Sequence, residues 1–124
     1  LKKSLLYGVG IFVPVSDLKR STAWYTDMLG FEVIHTDEPN AVVMRMNDEK
    51  VSFCLVRSYE VKQPVFPRND YGVGQYFNLH TTNVSEIHQR LVAKGADVTE
   101  IEDFGGFKGF SLTDPDGNRC GVTE

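Results

Sequence analysis

The chain has 124 residues, of which 41% are hydrophobic and 24% charged, so it is long and apolar enough for one small globular domain with its own core. Its net charge of −4 argues against a nucleic-acid partner or an anionic membrane surface. No apolar run approaches bilayer length, which argues against a membrane protein.

The basic-then-apolar start, Leu1 to Gly8, is followed by Pro14 and Ser16-Asp17 and by no small-residue cleavage site, so it does not read as a signal peptide. Alternation of Val9, Ile11, Val13 and Val15 with Gly10, Phe12 and Pro14 predicts a strand, extended back to Leu5 by its apolar residues. Ser16-Asp17 supplies an N-cap. Leu18, Thr22, Tyr25 and Leu29 follow at helical spacing, and Gly30 is the stop. Trp24 is expected in the core. Strands are predicted from Phe31 and Val33 on into the polar stretch from His35, from Ala41 to Met46 and from Val51 to Val56, with turns at Glu38-Pro39-Asn40 and Asn47 to Lys50.

Residues 58–73, rich in proline and glycine and without period, read as a linker between modules at 5–57 and 74–124. Tyr76 to Thr81 then alternates as a strand. Asn83 opens a helix with Val84, Ile87 and Leu91 on one face, and Lys94-Gly95 closes it. Strands follow at Val98 to Ile101, Phe110 to Thr113 and Arg119 to Thr123, with a loop at Phe104 to Phe107 and a hairpin turn at Asp114 to Asn118. The second half thus repeats the first as βαβββ. The expected class is α+β: eight short strands with two helices packed on one side.

Three strings carry a family likeness in the first half: Val15-Ser16-Asp17-Leu18, Ser21-Thr22-Ala23-Trp24-Tyr25 and Leu29-Gly30-Phe31-Glu32-Val33. In the second half it is carried by Val84, by Leu91 to Val98 and by Asp114-Pro115-Asp116-Gly117-Asn118. Together they resemble the vicinal oxygen chelate superfamily of glyoxalase I, bleomycin resistance proteins and extradiol dioxygenases. The resemblance implies two tandem βαβββ modules, a curved mixed sheet around a cup, and helices on the outer face. In enzymes of that family the cup holds a divalent metal on His, Glu or Gln. Counting from the motifs, the corresponding positions here are Gly10, Cys54, Tyr76 and Gly121, a poor donor set for a hard metal. A metal-free member is therefore expected, with no cofactor, of the kind that sequesters a drug, as bleomycin resistance proteins do.

Parity places Phe12, Cys54, Tyr76, Asn78 and His80 toward the cup, and Phe107 and Phe110 belong to a glycine-rich stretch readable as a lid or as a hairpin corner. Aromatic walls suit a planar or apolar ligand, or simply fill the cup. His35 and His88 read as solvated, and Cys120 as core. No catalytic residue is assigned. The rival reading is an enzyme, a glyoxalase-like lyase or a dioxygenase, with displaced metal ligands or with His80 as a metal-free base. Two cysteines without zinc spacing favour a reducing, cytoplasmic setting. The expected partners are a small molecule and a second copy of the chain, in a homodimer with the binding cups at or near the subunit interface.

Overall fold

The computed structural model describes residues 3–47 and 50–124. Leu1 and Lys2 of the basic start, and Asp48 and Glu49 of the expected polar turn, lie outside the described residues. The chain divides into two compact units, Leu1–Val61 and Lys62–Glu124.

The first unit runs β1 (Val9–Val15), α1 (Leu18–Leu29), β2 (Glu32–Asp37), β3 (Ala41–Arg45) and β4 (Val51–Arg57). Its sheet order is β1-β4-β3-β2, with β1 parallel to β4 and the other pairs antiparallel. The helix is set by its ends. Asp17 is extended, and its carboxylate accepts the Arg20 N–H at 3.1 Å. Gly30 takes φ 71°, a left-handed conformation that glycine adopts without a Cβ penalty, and donates its N–H to the Thr26 carbonyl at 3.0 Å. Helix α1 packs on β3 and β4. It buries Leu18, Ser21 and Tyr25 against Val13, Val15, Val42, Met44, Phe53 and Leu55. Tyr25 meets Phe31 and Phe53 with ring centroids 5.8 and 5.0 Å away. Trp24 is half-buried at the rim, edge-on to Tyr25, because it lies one helical step off the Leu18–Ser21–Tyr25 stripe. The first strand begins at Val9, not Leu5: Leu5, Leu6 and Tyr7 are exposed and outside the ladder.

The second unit repeats this connectivity. It runs β5 (Asn78–His80), α2 (Val84–Ala93), β6 (Asp97–Val98), β7 (Glu102–Asp103), β8 (Lys108–Thr113) and β9 (Arg119–Thr123). The order is β5-β9-β8-β6 with β7 also on β8, and β5 is parallel to β9. Asn83 caps α2 by accepting the Glu86 N–H, and the Glu124 carboxylate accepts the Val84 N–H at 2.7 Å. Leu79, Val84, Leu91, Phe110, Leu112, Cys120 and Val122 form the core. The fold class is therefore α+β, two helices with mixed sheets, as the sequence predicts.

In the second unit β7 is an additional strand beyond the eight expected, and two of the expected strands differ. The ladder expected from Tyr76 to Thr81 is regular only over Asn78–His80, and single bonds continue it at the Phe77 carbonyl and the Thr81 N–H. The strand expected over Val98 to Ile101 is interrupted at Thr99. The Thr99 hydroxyl, in place of its carbonyl, accepts the Ser111 N–H at 2.8 Å, and the carbonyl instead meets His88 Nε2 at 2.9 Å. His88 is thus half-buried, with its ring edge-on to Phe110, rather than solvated.

Candidate functional site

In each unit the helix covers one face of the sheet, and the other face carries the polar and aromatic side chains. Directly opposed residues of paired strands share a face, so register locates them. In the first unit one row reads Phe12, Cys54, Val43, His35 across β1, β4, β3 and β2. The rows on either side read Gly10, Ser52, Arg45, Glu32 and Pro14, Val56, Ala41, Asp37. Phe12 is 76% exposed, a large apolar ring beside glycine and proline positions that offer it little cover. Arg45 and Glu32 form an ion pair at 3.2 Å along the edge.

His35 belongs to this face because of a β-bulge between Val33 and His35. Strict alternation would put His35 on the side of Val33. The extra residue, Ile34, moves it to the side of Cys54. Sequence reasoning left His35 out of the site. The doubled apolar pair Val33-Ile34, which breaks the alternation, was the available signal.

In the second unit Asn78 lies opposite Gly121, and Gly121 opposite Ser111. The next row reads His80, Thr123, Gly109, Glu102. Asn78 and His80 are exposed, on the other side of β5 from buried Leu79. His80 Nδ1 and the Thr123 hydroxyl are 3.3 Å apart. Tyr76, just ahead of β5, is 58% exposed and meets Phe66 at 4.9 Å. Phe107 stacks on Phe104 at 5.2 Å, in a turn tied by the Phe104 N–H to the Phe107 carbonyl and by the Gly105 N–H to the Asp103 carboxylate. The stretch is a pinned hairpin corner in form. Phe110 does not share this face: it is 5% exposed and packs under α2, because it has the parity of Leu112.

The four positions that correspond to metal ligands do not fit a divalent cation. Gly10 and Gly121 have no donor side chain, and Gly10 lies opposite Ser52 rather than Cys54. A Cβ on Gly121 would collide with the Asn78 carboxamide, which occupies that space. Among the described residues no group of three or more His, Cys, Asp or Glu is placed to hold a metal ion.

Cys54 is half-buried, and burial raises its thiol above the ordinary range. Cys120 is pushed up to about 12, first by burial and then by the Asp114 charge. The thiolate is the reactive form, so both are poor nucleophiles at neutral pH. Alkylation at pH 7 is expected to modify Cys54 slowly and Cys120 only on unfolding; labelling of native Cys120 at the rate of a free thiol would contradict this. Linkage gives a second readout. The Cys120 contribution to stability is fully present below pH 9.0 and declines as pH rises toward about 12, because the unfolded chain loses the proton first.

The family model described as Glyoxalase/Bleomycin resistance protein/Dioxygenase superfamily matches residues 9–122. Solved structures share the fold. An integron cassette protein from the mobile metagenome of the Halifax Harbour sewage outfall has a TM-score of 0.77 at 19% identity, covering 94% of this chain and 96% of that one. TnmS3, an antibiotic binding protein from Streptomyces sp. CB03234, has 0.74 at 22%, covering 98% and 96%. A lactoylglutathione lyase from Agrobacterium tumefaciens has 0.70 at 22%, covering 93% and 90%. No curated protein matches the chain in sequence.

Proposed function

The chain belongs to the Glyoxalase/Bleomycin resistance protein/Dioxygenase superfamily, and from that premise we propose that it binds a small, planar, largely apolar molecule on the helix-free faces of its sheets, without a metal. One observation carries the reading: Phe12, on the helix-free face of the first unit, and Tyr76, just ahead of β5 in the second, present exposed rings, while Gly10 and Gly121, two of the four positions matched to metal ligands, have no donor side chain. Aromatic rings bind planar ligands by stacking and area burial, and a few polar neighbours then orient them. The residues assigned to ligand binding are Phe12 and Cys54 in the first unit and Tyr76, Asn78, His80 and Phe107 in the second, each unit taken by itself. TnmS3, described as antibiotic binding, supports a sequestering role; the lyase of the same fold supports the alternative, catalysis. That alternative rests on one feature here. His80 Nδ1 lies 3.3 Å from the Thr123 hydroxyl, and in the tautomer in which Nδ1–H donates to that oxygen Nε2 is the base toward a ligand.

A thermal-shift panel of glycopeptide antibiotics, quinones, glutathione adducts and small aromatics tests the reading, since a ligand of the folded state raises its melting temperature. Quinones or aromatics are expected to raise it, and Phe12→Ala to weaken their binding by about tenfold. A panel without effect, or a Phe12→Ala protein that binds equally well, would overturn the assignment. One equivalent of tightly held metal in protein purified without chelator would overturn its metal-free part, and turnover lost in His80→Ala would favour the enzyme.

The same reading includes a homodimer. Leu5, Leu6, Tyr7, Val65 and Tyr71 are exposed, more apolar surface than a monomer leaves without purpose. Light scattering at micromolar concentration is expected to give twice the chain mass; a monomer would refute it. None of the described helices is long and apolar enough to cross a membrane. Free Cys54 and Cys120 support a reducing, cytoplasmic setting.

A further inference from the structure

We infer that Gln75 and Asn78, laid over Gly121, form a paired-carboxamide platform that reads the hydrogen-bonding edge of an uncharged planar ligand, an amide, lactam or imide. The inference rests on the small-molecule reading above and adds the chemical class of the ligand.

Gly121 is the seat of the platform. It lies in β9 directly opposite Asn78, and a Cβ there would collide with Asn78 Oδ1 and come within 2.8 Å of Gln75 Nε2. The missing side chain lets both carboxamides lie against the strand. Gln75 Nε2–H donates to Asn78 Oδ1 at 3.4 Å, which uses one donor and one acceptor of the pair. The donors on Asn78 Nδ2 and the acceptor on Gln75 Oε1 remain, on two carboxamides joined by that bond. Exchanging O and N in both amides reverses the two roles and still leaves one donor group beside one acceptor. The complement is a ligand edge with an acceptor next to a donor, as in a cyclic amide.

The surroundings agree with a flat, neutral partner. The exposed Tyr76 ring stands between the two amides in sequence and is backed by Phe66 at 4.9 Å. Ser111, opposite Gly121 on the far side, adds a hydroxyl. A carboxylate presents acceptors only. It would set one oxygen against the acceptor of the pair and leave a polar group unpaired, the situation that sites built for hydrogen bonding reject most strongly.

Calorimetry with two probes of one shape tests this: 2(1H)-quinolinone, which carries the lactam edge, and quinoline, which lacks it. The lactam is expected to bind about tenfold more tightly to the native protein, and quinoline-2-carboxylate more weakly than either. Asn78→Leu is expected to erase the lactam preference, bringing the affinities for the two probes together, and Gly121→Ala to erase it by displacing Asn78. Circular dichroism checks that each variant is folded, and Asn78→Leu decides the matter where Gly121→Ala does not fold. Equal affinities for the two probes, a preference that survives Asn78→Leu, or no binding of either probe to millimolar concentration would overturn the inference. Equal affinities would leave the broader small-molecule reading standing, and the antibiotic and quinone panel tests that reading on its own.

Discussion

Phe53→Ala is expected to lower stability by about 4 kcal/mol, the range for deleting a fully buried aromatic ring. Phe53 is 1% exposed in the middle of β4 and stands opposite Met44, which is also fully buried. Its ring meets Tyr25 at 5.0 Å and Phe31 edge-on at 5.1 Å. Truncation therefore removes transfer free energy, opens a cavity and takes one ring contact from each of Tyr25 and Phe31. The surroundings have little room to close the gap, because Tyr25 is held by α1 and Leu55 and Met44 are already packed. Phe12→Ala supplies the contrast. The residue type and the change are the same, but that ring is on the exposed face, and the expected loss is within about 0.5 kcal/mol. Urea denaturation of both variants measures the difference. A Phe53→Ala loss under about 1 kcal/mol would mean that β4 does not anchor this core.

Asp114→Ala is expected to cost about 3 kcal/mol through the turn that joins β8 to β9. The buried carboxylate accepts the Asp116 N–H at 2.9 Å, the Asn118 N–H at 2.8 Å and the Asn118 Nδ2–H at 2.8 Å. Its backbone carbonyl takes the Gly117 N–H, where φ is 84°. Alanine keeps the backbone bond and leaves the other donors without their acceptor. At Asn118, which is buried, they are poorly placed to reach water. Asp114→Asn retains one acceptor oxygen and is expected to lose less. Equal melting temperatures for native and Asp114→Ala proteins would show that the turn holds without this side chain. Because β9 carries Gly121, the loss is also expected to loosen the Asn78 seat, so weaker ligand binding should accompany it.

What the sequence determined by itself is the set of features decided within a few residues of each other. Asp17 and Gly30 delimit α1, Asn83 opens α2 and Lys94-Gly95 closes it. Asp114 to Asn118 makes the hairpin, since a cap or turn bond spans only three or four residues. The alternation of Val9 to Val15 sufficed to put Val13 and Val15 on one face of the strand, which is buried, and Phe12 on the other. The ordered motifs across both halves were enough for the superfamily, which matches residues 9–122.

Tertiary structure decided what depends on register. One bulged residue, Ile34, moved His35 to the face of Cys54, and no local preference records which residue the partner strand skips. The Thr99 hydroxyl broke a strand because its acceptor role needs Ser111, which is distant in sequence. Read in sequence, Gly121 is only a missing metal ligand. Paired across the sheet, it is the space that Asn78 fills, because β5 and β9 meet only when the unit folds and brings a carboxamide over a residue with no side chain.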